Sequence, residues 1–303
     1  MNIAVIDVGT NSTNLLVQDS NGNDLARVIA TTRLGETLHQ DGTLSTAAIE
    51  RTVDTIASHI AVAEQHGVSH VVITGTAACR RASNTQQFID AVTARTGITV
   101  EILSEKDEAT FAFRGALTNL PEVIAPQLVI DIGGGSTEFT VGVIDAEMSA
   151  SIPFGSVTGT ASHITTDIPR PEDLTNLIGA VADEIEEIQR NIPATNIPAR
   201  AIGVAGTIVT IAAVEIGLAS FDEGSLHGFV LTRDAAEDVF RTLATEPLAQ
   251  RVLNPGLPAD RADIIVAGCC ILVATMRRLR LDEIVVSTRS LLDGIAARER
   301  LKP

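Results

Sequence analysis

Val129-Ile130-Asp131-Ile132-Gly133-Gly134-Gly135-Ser136-Thr137-Glu138 decides how this chain is read. The apolar run, broken once by Asp131, predicts a buried strand, and the three glycines after it predict a turn without Cβ atoms. Such a turn leaves backbone N–H groups free to converge on an anion. Ser136 and Thr137 add hydroxyl donors, and Asp131 and Glu138 add carboxylates that could hold a cation or a water. Phe139–Val143 alternates as a strand does, so a plain glycine turn between two strands explains the stretch equally well by itself.

A second stretch breaks the tie. Residues 5–13 read Val-Ile-Asp-Val-Gly-Thr-Asn-Ser-Thr, and against residues 129–137, without gaps at an offset of 124, six of nine positions are identical. Solenoid repeats recur every ~20–50 residues, so one echo at this distance predicts two similar halves instead. Each half also carries a later apolar strand running into Gly-Thr, at Gly75-Thr76 and Gly206-Thr207. Two Asp-bearing turns, one from each half, would form one site for phosphates.

Composition narrows the classes. With 303 residues, 45% of them apolar, the chain is long enough for two domains with real cores, and disorder is excluded as a global description. The net charge of −16 argues against a protein that coats nucleic acid. It also means that any phosphate site must rely on local donors, local arginines and a bound cation. Lys106 and Lys302 are the only lysines, so nearly all positive charge is Arg, the side chain suited to bidentate phosphate contacts. Most of those arginines need no more than a surface role. Cys79, Cys269 and Cys270 show no metal spacing and no disulfide framework. There is no basic leader before the first strand, and the apolar run Ile264–Met276 is too short to span a bilayer. These features predict a soluble cytoplasmic protein with no membrane partner.

Ser104-Glu105-Lys106-Asp107 has the capping-box pattern of a helix start. Glu108 then falls in the first turn, on the face of Phe111 and Ala112, where a carboxylate needs a partner or a task. The helix dipole lowers the pKa of an acid so placed, which weakens it as a base unless burial opposes the shift. Arg33-Leu34-Gly35-Glu36 is read as a loop after a short strand, and Arg80-Arg81 as a basic pair following the Gly75-Thr76 strand end.

Paired Asp-glycine turns in duplicated α/β halves resemble the phosphate loops of the superfamily that unites actin, sugar kinases and heat-shock chaperone ATPases. The fuller set resembles the Ppx/GppA family of exopolyphosphatases and guanosine pentaphosphate phosphatases over essentially the whole chain. That set is Ile6–Ser12, Arg33–Glu36, Thr76–Asn84, Ser104–Ala109, Asp131–Glu138, Gly206-Thr207 and Arg261-Ala262-Asp263. The resemblance implies an α/β fold of two ribonuclease-H-like (actin-like) domains, each a mixed sheet flanked by helices, with the active site in the interdomain cleft. The expected division is 1–124 and 125–289, with the terminal helix, about 290–303, packing back onto the first domain.

It further implies Mg²⁺-dependent hydrolysis of the terminal phosphoanhydride of inorganic polyphosphate. Carried over by position, Glu108 is the catalytic glutamate that orients or deprotonates the water. Asp131 and Glu138 are the metal- and water-positioning acids, with Asp7 as a further metal ligand. Thr10, Asn11 and Ser12, together with Gly133, Gly134, Gly135, Ser136 and Thr137, form the phosphate cradles, joined by Gly206 and Thr207. Arg33 and Arg80 line the substrate cleft. Phosphoryl transfer asks mainly for positioning and charge neutralisation, so these residue types suffice.

The sequence departs from the family pattern at two places. Asn14 stands where a basic residue is common, and Leu292 stands where an Arg is expected, with Arg289 nearby as a substitute. The resemblance is to short members without the C-terminal helical domain. Guanosine pentaphosphate is the alternative substrate, though a chain without Trp or Tyr has little to stack on a base. A silent polyphosphate or nucleotide sensor and an ATP-dependent sugar kinase are more distant alternatives. The resemblance also admits a homodimer.

Overall fold

The computed structural model describes residues 1–196 and 198–301, and it divides into two compact units: 1–115 with 291–303, and 116–290. Residues 116–124 therefore go with the second unit instead of the first. The reason is local bonding: Arg200 donates through Nη1 to the Pro121 carbonyl (2.8 Å) and through Nε to Gln127 Oε1 (2.8 Å).

In the first unit the chain runs β1 (Ile3–Val8), β2 (Ser12–Gln18), β3 (Asp24–Thr31), α1 (Leu38–Asp41), α2 (Thr46–Gln65), β4 (His70–Gly75), α3 (Ala77–Arg81), α4 (Thr85–Thr96), β5 (Val100–Ile102) and α5 (Glu105–Ala116). The sheet order is β3-β2-β1-β4-β5. The first three strands form an antiparallel meander, and β4 and β5 add in parallel. Every residue of β1 is buried, as expected of a central strand covered on both faces. Ser45 caps α2 by accepting the Ala48 N–H (3.1 Å), and Ile49, Val53 and Ile56 recur at helical spacing to fill one face of the sheet.

The second unit repeats the plan: β6 (Gln127–Ile132), β7 (Thr137–Gly142), β8 (Ala146–Ile152), α6 (Ser156–His163), α7 (Pro171–Asn191), β9 (Arg200–Val204), α8 (Ala205–Ile216), α9 (Glu223–Leu226), β10 (Val230–Thr232), α10 (Arg233–Thr245), α11 (Leu248–Arg251), α12 (Ile265–Arg278) and β11 (Glu283–Val286). Its order is β10-β11-β9-β6-β7-β8, with an antiparallel meander β6-β7-β8 and parallel β9 and β11. Read from the meander outward, this is the first sheet with one antiparallel strand, β10, added at the edge. The two mixed sheets, flanked by helices, are the duplicated ribonuclease-H-like plan. Cys269 and Cys270 lie in the fully buried stretch of α12 and serve as core, as does buried Cys79 in α3.

The last helix, α13 (Leu291–Arg300), belongs to the first unit. Leu291, Leu292, Ile295 and Ala296 pack with Ile3, Val5, Leu16 and Phe111 on the sheet face opposite α2, and Arg27 pairs with the buried Asp293 (2.6 Å). Leu292 is therefore a core residue. No helix among the described residues is long and apolar enough to cross a membrane.

Candidate active site

The β1–β2 turn and the β6–β7 turn close in the same way. Gly9 N–H donates to the Ser12 carbonyl (2.9 Å), and Gly133 N–H donates to the Ser136 carbonyl (3.0 Å). The shared sequence thus encodes a shared backbone shape. What holds each turn differs. In the first unit, the loop after β3 caps the turn's carbonyls: Thr32 and Arg33 N–H both donate to the Asn11 carbonyl (2.9 and 2.8 Å), and Gly35 N–H donates to Thr10 (3.0 Å). Arg33 takes a left-handed backbone (φ 50°) to make this approach, and a Cβ at Gly35 would collide with the Thr10 methyl.

In the second unit the turn is seated on the start of α6. Ser156 N–H donates to the Gly133 carbonyl (2.9 Å), and Val157 and Thr158 N–H donate to Gly134 (2.9 and 3.1 Å). The Thr158 hydroxyl donates to Gly135 (3.2 Å), and the Thr137 hydroxyl to the Phe154 carbonyl (2.7 Å). Gly155 lies so close that a Cβ there would collide with the backbone of Gly134 and Gly135. The carbonyls of all three loop glycines are thus consumed. Among the described residues no backbone hydrogen bond uses the N–H of Gly134 or Gly135. Carbonyls turned away and amides left over are what an anion cradle requires.

Side chains in the first turn point the same way. Asn11 is 5% exposed, and neither its amide nitrogen nor its carbonyl oxygen has a protein partner; the Asn14 oxygen is likewise buried and unsatisfied. Buried polar atoms without partners are costly unless a ligand completes them.

The acids occupy matched positions. Asp131 and Glu138 stand directly opposite across β6 and β7, and Asp7 and Asn14 stand opposite across β1 and β2. Ser151 on β8, opposite Glu138, donates to its Oε1 (3.0 Å), and Thr74 donates to Asp7 Oδ1 (3.2 Å). An all-oxygen pair of carboxylates fits Mg²⁺, which takes one or two carboxylates and completes its shell with waters and substrate phosphates. No group of three or more His, Cys, Asp or Glu gathers among the described residues, so a closed protein cage is not what the chain offers.

Glu108 lies in the first turn of α5, started as expected by Ser104, which accepts the Asp107 N–H (3.1 Å). Its side chain is 16% exposed and receives Nη1 of Arg80, which also donates to the Leu103 carbonyl (3.0 Å). Burial pushes the Glu108 carboxyl above its ordinary value, opposed by the Arg80 charge and reinforced by Glu105. Burial therefore outweighs the arginine. Arg80 is the ion-pair partner of Glu108 within the first unit, a relationship that sequence position did not disclose.

Gly206 and Thr207 differ from expectation in local structure. The strand β9 ends at Val204, Ala205 turns with φ 66°, and Gly206-Thr207 form the first turn of α8. The lack of a Cβ at Gly206 is required by Arg261, whose guanidinium it would overlap, and the Thr207 methyl packs at Gly268 on α12. Burial pushes the Arg261 pKa down, with Asp260 opposing. Arg261 thus packs its desolvated guanidinium against the first turn of α8 in the second unit. The Arg261-Ala262-Asp263 motif was its only signal in the sequence. Arg289 is engaged by Glu223 (2.8 Å).

Two mixed sheets of matching strand order, each with an identically closed glycine turn and the second with facing carboxylates, define a duplicated α/β fold of the ribonuclease-H-like plan. The chain belongs to the Ppx/GppA phosphatase family, whose sequence model matches residues 4–302. It is 30% identical over 312 residues to an exopolyphosphatase 2 of Mycobacterium tuberculosis, covering 97% of each chain. The crystal structure of an exopolyphosphatase from Cytophaga hutchinsonii superposes with a TM-score of 0.91 at 27% identity, over 99% of this chain and 98% of that one. An Aquifex aeolicus member of the family superposes with a TM-score of 0.83 at 26% identity, over 99% and 98%.

Proposed function

We propose that the chain is an exopolyphosphatase that removes terminal phosphate from inorganic polyphosphate with Mg²⁺. The observation that carries this reading is the pair of identically closed glycine turns, the second with the Gly134 and Gly135 amides left over for an anion and the first with the buried Asn11 side chain unsatisfied. The names borne by its family relatives support the substrate assignment.

The second unit offers phosphate oxygens the amides of Gly134 and Gly135 with the Ser136 hydroxyl, and the first offers the Asn11 side chain with Thr10, Ser12 and Arg33. Asp131 and Glu138, with Asp7, would hold Mg²⁺, which would neutralise phosphate charge. Glu108 accepts the proton of the attacking water, and its raised pKa makes it a better acceptor than an ordinary carboxylate. Arg80 holds that carboxylate in one orientation. The P–O bond to the water forms as the anhydride P–O bond breaks, and the shortened chain leaves as a phosphate anion.

The chain's acidic charge and its sequence fit a cytoplasmic enzyme, and a homodimer is consistent with the family. Phosphate release measured side by side from polyphosphate and pppGpp, with and without Mg²⁺, tests the assignment. Preference for the nucleotide would make the chain a guanosine pentaphosphate phosphohydrolase. Ligand binding without release from either would make it a sensor.

A further inference from the structure

Three residues stand in register across the antiparallel meander of the second unit: Asp131 on β6, Glu138 on β7 and Ser151 on β8. Side chains directly opposite one another share a face of the sheet, and here the third closes on the second, with Ser151 Oγ donating to Glu138 Oε1 at 3.0 Å. The duplication supplies an internal control. At the same three positions the first unit has Asp7, Asn14 and Ile29, and Ile29 is 58% exposed with no hydrogen-bonding group. A hydroxyl thus occupies the third position in the unit whose second position is a carboxylate, and not in the other.

From this ladder we infer that Ser151 is a positioning residue for the reaction: its hydroxyl fixes the rotamer of Glu138 so that the carboxylate faces the cation and water beside Asp131. The inference rests on the exopolyphosphatase reading for its substrate. Glu138 faces Asp131 across β6 and β7, and a hydrogen bond from the neighbouring strand favours the rotamer that keeps its carboxylate on the shared face. Ser151 supplies that hydrogen bond from an exposed position on the edge strand, where it contributes little to the core. Partners that orient a metal-binding carboxylate are worth about 10–100-fold in affinity or activity. An exposed hydroxyl belongs at the low end.

The test compares Ser151→Ala and Ser151→Thr on the full chain by two readouts, phosphate release from polyphosphate and Mn²⁺ binding measured by calorimetry without substrate. Ser151→Ala should lower kcat about tenfold with KM within about twofold, and weaken Mn²⁺ binding by a similar factor. Ser151→Thr, which keeps the hydroxyl, should restore both. In a Glu138→Gln background the Ser151→Ala change should have no further effect. Unchanged Mn²⁺ affinity in Ser151→Ala, or an equal loss in the Glu138→Gln background, overturns the role of Ser151. A wild-type chain that binds Mn²⁺ in a Ser151-dependent way yet releases no phosphate from polyphosphate upholds the positioning role and overturns the substrate reading.

Discussion

Arg80 and Glu108, 28 residues apart in sequence, form an ion pair in which the same guanidinium nitrogen also donates to the Leu103 carbonyl (3.0 Å). The pair leaves Glu108 with a pKa above the ordinary 4.5, because burial outweighs the arginine. A carboxyl raised in this way gives its full contribution to stability below the unfolded pKa and loses it as pH rises through the folded pKa. Activity runs the other way, since only the carboxylate accepts a proton. The acid limb of the pH–rate profile should therefore have its midpoint above 4.5, and Arg80→Gln should move it higher still. A limb that stays in place in the variant would remove Arg80 from this role.

Glu108→Gln keeps the shape and an acceptor for Arg80 but cannot take a proton. It should reduce kcat by about 100-fold or more while polyphosphate binding stays within a few-fold of wild type. Equilibrium binding and single-turnover release on the same preparation check this.

Asn11 carries two buried polar atoms without a protein partner. Replacing it by Ala removes the unsatisfied atoms as well as the ligand contact. We expect KM for polyphosphate to rise about tenfold while the thermal midpoint does not fall. A clear drop in the midpoint would show that the side chain serves the fold instead.

Gly155→Ala places a Cβ against the backbone of Gly134 and Gly135. The loop must shift, and a displacement of about 1 Å at a positioning element can cost about 100-fold in rate. Stability should fall by only about 1–3 kcal/mol, the usual cost of overpacking. Activity that survives within threefold would argue against a phosphate role for the loop.

Arg251 is buried and donates to four carbonyls, those of Leu243 (2.8 Å), Ala262 (3.0 Å), Glu246 (2.7 Å) and Asp167 (3.2 Å). Arg251→Met fills the space yet leaves those acceptors unpaired, so denaturant unfolding should show a loss of about 3 kcal/mol or more.

Much of the architecture was legible because it is written locally. Apolar runs carrying an Asp just before glycine predicted strands and turns, Ser45 and Ser104 marked real helix starts, and the echo at 124 residues predicted two similar halves, which the matching sheet orders display. Local reading slipped at Gly206-Thr207, where the left-handed Ala205 starts the helix earlier than the apolar run suggested. An L residue other than glycine rarely adopts that geometry, so nothing in its side chain announced it.

By itself, the sequence determined which backbone segments become the paired glycine turns and which carboxylates flank them, because sterics at glycine and strand alternation act within a few residues. Only the tertiary structure decided the partners: Arg80 on Glu108, Gly155 and α6 under the glycine loop, Arg261 over Gly206, Ser151 on Glu138. Those pairings depend on sheet register and helix packing between segments distant in the chain. Charge and hydrogen-bonding partners are chosen through space, and no pattern along the sequence carries that distance.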